Sequence, residues 1–524
     1  MAESGKKYIL VALFSLLLFE GLTVGFTYLY PHLPDDFYFG GDTLRLHFYE
    51  PAELLAFTEP GSAKADSLLE NTDSLLAMDF SEEGVGNPKH AYVDTGENPL
   101  FVNPKLPDGH YALDNFFSAL YALEAGKLDR VHVAHYGDSQ TEGDRITRFI
   151  RLNLQQRFGG NGLGLVGITD IASHHSLSRS TSGNWLRYTV FKNNYNTGSY
   201  NMGGVVFRFV APSAVQNQPR DTLPKTADPD ELLPDSVQND TAAPPPPDPT
   251  GVASIGAFVQ FNIRKPYDYA QLVYGKVFAP TTVKIYADGS FIREDELEEG
   301  SNVRTLELEV PAGSENLKLE FEAEGESPEI YGLMLDCYHG VQVDNFGLRG
   351  HSGNGLMRIN FGRLSRQYAM FDTRLIIVQY GGNAAPMTNV YDWSFFADAV
   401  YNIVSRLKRA APKASVLVVG VADAAGKREG EFGTLHTIPR IRDAQRQGAK
   451  RAGAAFWDLY EAMGGRNSII SWVNHDPPLA AKDFAHFSWS GQKVVGNMLV
   501  KALLNEYARY RDSRASFDPI EPVD

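Results

Sequence analysis

Val131-His-Val-Ala-His-Tyr-Gly-Asp-Ser-Gln140 is a short apolar run that ends abruptly in Gly137-Asp138-Ser139. A strand that delivers a serine into a tight glycine-containing turn presents it at the carboxyl end of an α/β sheet, where such folds bind ligands. Gly-Asp-Ser is also ordinary turn chemistry, so the tripeptide gains meaning only from its surroundings. Upstream, Leu113, Phe116, Phe117, Leu120 and Leu123 recur at helical spacing and predict a helix from Ala112 to Ala125. Downstream, Thr147 to Arg157 predicts another. Strand, serine turn and helix in that order open an α/β unit.

Beyond this unit the apolar pattern changes to period two. Gly204 to Val210, Ala257 to Ile263, Ala270 to Val277, Thr282 to Tyr286, Arg304 to Val310 and Leu317 to Phe321 are short, rich in Val, Phe, Tyr and Leu, and bounded by turn residues. Residues 180–340 are therefore expected to form an inserted β-sandwich. Within it, residues 212–251 are rich in Pro, Asp and Thr and include Pro244 to Pro247, a composition expected of a disordered loop. From Phe346 the α/β rhythm returns: Leu375 to Gln379 and Ser415 to Val419 read as buried strands, with a helix at Ser394 to Lys408 between them. Ala454 to Asp458 is a further strand and Gly491 to Tyr507 a closing helix. One α/β domain, residues 108–179 and 341–512, is thus split by the β insertion, with a tail at 513–524.

The chain has 524 residues, 43% hydrophobic and 21% charged, which are globular values with room for more than one domain. Its net charge of −16 argues against a nucleic-acid partner, which needs a basic surface. Lys6 and Lys7 precede an apolar run from Tyr8 to Tyr30, and Asp35 and Asp36 follow it. That pattern predicts a membrane anchor over residues 1–30, a stalk or linker over 31–107, and the bulk of the chain outside the cytoplasm. No small-x-small cleavage site follows the run, which favours an anchor over a cleaved signal peptide, although Glu20 is costly in mid-membrane. Cys337 stands alone, so there is no internal disulfide and no cysteine-rich metal site.

A serine at neutral pH needs a base, and the base a carboxylate that fixes its tautomer. Asp483-Phe-Ala-His486 stands just before the closing helix, and its spacing lets carboxylate and imidazole project from one tight loop. Two more segments end in glycines. Leu375-Ile-Ile-Val-Gln-Tyr-Gly-Gly-Asn383 closes a strand with a carboxamide, and Asn345-Phe-Gly-Leu-Arg-Gly350-His-Ser-Gly353 lies where the insertion rejoins the α/β body. A glycine amide and an Asn side-chain amide are the donors an acyl-transfer oxyanion requires. Each of the four features has an ordinary reading as a cap or turn, but four at strand ends in one order are harder to ascribe to chance.

Here the chain resembles the SGNH (GDSL-type) hydrolase superfamily, named for Ser, Gly, Asn and His in four blocks. The resemblance implies a flavodoxin-like three-layer α/β sandwich with a parallel sheet, interrupted here by the β-sandwich insertion. It assigns Ser139 as nucleophile, Asp483 and His486 as its triad partners, and the Ser139 amide, Gly350 and Asn383 as the oxyanion hole, with Gly347 and Gly353 competing for the glycine role. Gln140 replaces the leucine usual after the serine, and Ala384 replaces an acidic residue often found after the Asn. Gly137 to Thr147, Phe456-Trp-Asp-Leu-Tyr-Glu-Ala-Met-Gly-Gly465 and the split by a β domain are similar to bacterial peptidoglycan O-acetylesterase-type proteins, whose insertion is carbohydrate-binding-module-like and jelly-roll-like.

The function expected from these residues is an extracytoplasmic serine esterase that removes O-acetyl groups from a cell-envelope glycan, anchored in a bacterial inner membrane and facing the periplasm. It needs no cofactor and no metal. The nearest alternative is an O-acetyltransferase that passes the same acetyl group from Ser139 to a sugar hydroxyl, with a membrane acyltransferase as partner. A second is a non-catalytic glycan-binding or assembly protein. His132 and His135 could suggest a metal pair but alternate as strand residues do, and Asp144 and Arg145 are read as structural contacts beside the serine turn. Trp185, Trp393, Trp457, Trp472 and Trp489 could include a sugar platform, with buried packing the default for each.

Overall fold

The computed structural model describes residues 61–78, 100–211 and 254–515 apart from a few single positions, and the backbone of a hairpin pairing Asp36–Phe39 with Leu44–His47. The expected anchor, the Pro-rich loop at 212–251 and the last residues of the tail lie outside the described residues. Among the described residues no helix is long and apolar enough to cross a membrane.

Strand β1 (Phe101–Val102) and helix α1 (Asp114–Glu124) lead into β2 (Arg130–Gly137) and α2 (Arg145–Phe158). Seven of the eight residues of β2 are buried, which is why it reads as a continuous apolar run rather than an alternating one. The chain then enters the insertion through β3 (Gly164–Val166), β4 (Leu177–Thr181), β5 (Trp185–Thr189) and β6 (Val205–Phe209). There follow β7 (Ser254–Ile263), β8 (Tyr269–Tyr274), β9 (Thr281–Ala287), β10 (Ser290–Glu296), β11 (Arg304–Glu307), β12 (Asn316–Glu324) and β13 (Ile330–Asp336). The α/β body resumes with β14 (Gly340–Gly347), α3 (Phe361–Met370), β15 (Thr373–Gln379), α4 (Ser394–Ala410), β16 (Ser415–Val419) and a hairpin of β17 (Ala425–Arg428) and β18 (Glu431–Thr434). It closes with α5 (Thr437–Arg451), β19 (Ala455–Trp457), the short α6 (Ser468–Asn474) and α7 (Trp489–Ala515).

The central sheet has the order β14-β2-β15-β16-β19-β1. Its strands are parallel except β1, which runs antiparallel to β19, so the expected parallel sheet is mixed at one edge. A two-residue strand outside the main helix-strand rhythm leaves no periodicity to read.

The insertion is a sandwich of two antiparallel sheets, β11-β8-β13-β6-β5 with β3 on β13, and β10-β9-β12-β7-β4. In β9 and β12 every second residue is buried, as one-sided sheets require. Trp185, Phe209 and Phe321 meet across the gap with ring centroids 5.2 to 5.9 Å apart. Burying each such ring contributes about 1.5–3 kcal/mol. The sandwich starts before residue 180: Gly164–Val166 already pairs with β13, and β4 begins at Leu177.

The expected linker is also corrected in part. Residues 61–78 form two short helices that dock on the α/β body. Ser62 N–H donates to Ser471 Oγ at 2.9 Å, Ser62 Oγ donates to the Gly464 carbonyl at 2.7 Å, and Ala65 and Leu69 are buried in the same core as Ile469 and Trp472. The closing helix runs to Ala515, three residues into the expected tail.

Candidate active site

Register puts the ends of the three adjacent strands β14, β2 and β15 level: Gly347 and Gln379 both lie opposite Gly137. The serine turn, the Gly350 loop and the Asn383 loop therefore leave the sheet from one row, at its carboxyl end. Two glycines in that row are required by crowding. A Cβ on Gly137 would come within 2.5 Å of Thr141 Oγ1, and one on Gly347 within 2.4 Å of the Glu142 nitrogen, because the serine turn folds back over the strand ends. Gly350 has a φ of +79°, a left-handed conformation that favours glycine.

The fourth loop, Asp483 to Phe487, brings the imidazole. Ser139 Oγ lies 2.8 Å from His486 Nε2, and His486 Nδ1 lies 2.7 Å from Asp483 Oδ2. Asp483 Oδ1 also accepts the amides of Ala485 and His486 at 3.1 and 3.0 Å. Despite partial desolvation, these bonds and the imidazole hold the Asp483 carboxyl below its usual range. A carboxylate at Nδ1 keeps the proton there and leaves Nε2 as the acceptor for the serine hydroxyl. Phe484 takes a φ of +52°, the turn that lets the Asp and His side chains face each other across three residues.

The oxyanion candidates Gly350 and Asn383 lie on loops that leave the same row of strand ends as the serine turn. Asn383 Nδ2 donates one hydrogen to the His351 carbonyl at 3.1 Å, which ties the Asn383 loop to the Gly350 loop. That leaves one amide hydrogen for a ligand. His351 is buried, and burial pushes its pKa down to about 3, so the ring beside Gly350 is neutral.

Three residues hold this arrangement that the sequence reading did not assign to the site. Asp138 is 4% exposed, and its carboxylate accepts the Gln140 amide at 3.0 Å and the Gly382 amide, which links the serine turn to the Asn383 loop. Burial raises its pKa to about 6, against the opposing pull of those amides and of His486. Gln140 Nε2 donates to the Ala485 carbonyl at 2.7 Å while its Oε1 accepts the Phe487 amide at 3.3 Å, so one carboxamide brackets His486 on both sides. Arg145 Nη1 donates to the Ser139 carbonyl at 2.6 Å. The first two signals were visible as residues of the turn, but their partners are distant in sequence.

Asp144 receives both amino groups of Arg151 at 2.9 Å and is a structural anchor, as expected. His132 and His135 do not converge. His132 Nδ1 faces Asp344 at 3.3 Å, whereas His135 Nε2 donates to Gln379 Oε1 at 3.0 Å and Nδ1 faces the Thr147 hydroxyl at 2.9 Å. Beside the serine turn, between the α/β body and the sandwich, lies a cavity of about 70 Å³ lined by Glu142, Gly143, His174, Arg179, Gly347 and Leu348 among others. Neither Ser139 nor His486 lines it.

Residues 316–494 match the model of the GDSL-like Lipase/Acylhydrolase family. The chain carries a GDSL-like acylhydrolase domain. The match takes in the loops of Gly350, Asn383 and His486, while Ser139 reaches the acylhydrolase domain from the far side of the insertion, on the strand between β14 and β15. Among solved structures, that of a peptidoglycan O-acetylesterase aligns with 78% of this chain and 99% of its own at a TM-score of 0.57 and 18% identity, which shows a shared fold. A lipase/acylhydrolase from Enterococcus faecalis aligns with 32% of this chain and 78% of its own at a TM-score of 0.24 and 16% identity. An acetyl xylan esterase does so over 31% and 80%, at a TM-score of 0.24 and 14% identity. No curated protein sequence matches the chain.

Proposed function

We propose that this chain is a serine esterase that removes O-acetyl groups from a cell-envelope polysaccharide such as peptidoglycan, outside the cytoplasm and held at the membrane by its N-terminal segment. The observation that carries the reading is the continuous relay Ser139 Oγ, His486, Asp483, with spacings of 2.8 and 2.7 Å, facing a loop pair that offers amide donors. In this reading His486 Nε2 takes the hydroxyl proton as Ser139 attacks the acetyl carbonyl. The oxyanion is met by the amides of Ser139 and Gly350 and by the Asn383 side chain, donors worth about 3–4 kcal/mol each in comparable sites. His486 then protonates the departing sugar oxygen, and water repeats the sequence to release acetate.

The glycan and the location rest on further support. The fold likeness to a peptidoglycan O-acetylesterase covers 78% of the chain and so extends into the sandwich as well as the acylhydrolase body. The lysines before the apolar run and the single cysteine suit an anchored, extracytoplasmic chain. Between hydrolysis and acetyl transfer, one feature favours water: the side chains of His486 and Asp483 are 40% and 50% exposed, so solvent reaches the base that would activate it.

The test is acetate release from O-acetylated peptidoglycan and from other acetylated polysaccharides by the wild-type protein and Ser139→Ala. The variant is expected to fold as the wild type does and to lose at least a thousandfold in kcat. Equal acetate release by both proteins would overturn the proposal. Acetyl appearing on added sugar acceptors instead of as free acetate would move it to the transferase alternative.

A further inference from the structure

Next to the His486 loop stands an arginine that, among the described residues, has no anionic partner. Arg148 lies on α2 close after Arg145, and its guanidinium rests 4.7 Å from the centroid of the Trp489 ring. Its Nε is buried and has no hydrogen-bond partner among the described residues, an unfavourable state for a polar donor. Among the described residues no carboxylate forms an ion pair with it. Asp144, which acts on it through space, already holds Arg151 with both oxygens and accepts the Ser176 hydroxyl at 2.6 Å.

Trp489 follows His486 by three residues and is 44% exposed. The other four tryptophans are more covered: Trp457 and Trp472 are fully buried, Trp393 is 7% exposed, and Trp185 is half-buried against the sandwich core. His175 meets the Trp489 ring at 5.0 Å and 71°, and its amide donates to the Gly143 carbonyl of the serine turn at 3.1 Å. Burial and the nearby guanidiniums depress His175, whose ring is therefore a neutral hydrogen-bonding group, and also Lys265, whose ammonium adds to the positive charge at this corner of a chain whose net charge is −16. An unpaired, partly desolvated guanidinium on an exposed indole, among other cations, is complementary to an anion carried on an apolar ring face.

We infer that Arg148, Trp489 and His175 form a subsite for a carboxylate-bearing sugar of the glycan whose acetyl group is being removed. The pyranose packs its C–H face on the exposed part of the indole, and the guanidinium takes the carboxylate. The inference rests on the proposed esterase function for the product measured, but its recognition step stands apart from hydrolysis.

The probes are O-acetylated polygalacturonate and the same polymer after its carboxyl groups have been reduced. Wild type is expected to show a KM for the acidic polymer at least fivefold below that for the reduced one, a gap that narrows with added salt. Arg148→Gln should close the gap by raising KM on the acidic polymer alone, with kcat changed less than twofold; Arg148→Lys, which keeps charge but not planarity, should close it in part. Trp489→Ala should raise KM on both polymers. Equal KM for the two polymers in wild type, or equal shifts on both in Arg148→Gln, would overturn the inference. Binding to Ser139→Ala, followed by tryptophan fluorescence, separates the two ideas. If neither polymer yields acetate but the acidic one still binds at least fivefold tighter, the esterase reading fails and the subsite stands; equal binding sinks the subsite.

Discussion

Asp138 is the residue with the most conflicted environment in the site. It is buried at 4% exposure, yet its charged form is the one that accepts two amides, from Gln140 and Gly382. Burial wins and raises its pKa from 3.8 to about 6, so the folded state holds this proton more tightly than the unfolded chain does. The sign follows: between about pH 4 and pH 6 the folded protein binds more protons than the unfolded one, and stability falls as pH rises through that window. The contribution is roughly 3 kcal/mol at most. Asp138→Asn should lack this slope, and urea midpoints of wild type and variant from pH 4 to pH 7 check it. Their difference should change across the window in the variant's favour; a constant difference would contradict the assignment. The variant should also lose activity, because an amide nitrogen in place of a carboxylate oxygen cannot accept from both backbone groups.

At the scale of elements, the site is a meeting of four loops, and Gln140 is the connection between the first and the last. Its carboxamide grips the backbone on both sides of His486, at 2.7 and 3.3 Å. A leucine at that position, the residue usual in the superfamily, fills similar volume but makes neither bond. At about 1 kcal/mol for each of the two hydrogen bonds, Gln140→Leu should lower kcat on a small acetyl ester roughly thirtyfold, with KM changed less than twofold. Steady-state kinetics checks this, and an unchanged kcat would mean that the Asp483 turn orients the imidazole by itself. The serine turn and the Asp-x-x-His loop were legible in the sequence because each is a local motif whose chemistry sits within a few residues. The Gln140 clamp was not, since it joins positions 345 and 347 residues apart. The helices at 61–78 were missed for a different reason: they are only seven and five residues long, with Ala65, Leu69 and Thr72 the buried residues, and so carry no amphipathic period long enough to read.

For the molecule as a whole, the division into an α/β body and a β-sandwich was legible because the apolar period changes from helical to two and back. The start of the sandwich was placed too late by the same criterion, since Gly164–Val166 joins its sheet with only three residues. What the period cannot convey is that β2, from before the insertion, slots between β14 and β15 from after it, and this is what brings Ser139 to Gly350, Asn383 and His486. The whole architecture thus serves a single contact, Ser139 Oγ to His486 Nε2 at 2.8 Å. If that contact is a working nucleophile and base, the enzyme passes through an acetyl ester on Ser139. Rapid acid quench of the protein with an activated acetyl ester, followed by peptide mass spectrometry, should find the acetyl group on the peptide bearing Ser139 and should find it lost in His486→Ala. Turnover of the ester with no acetyl on Ser139, or with the group on another residue, would contradict the account.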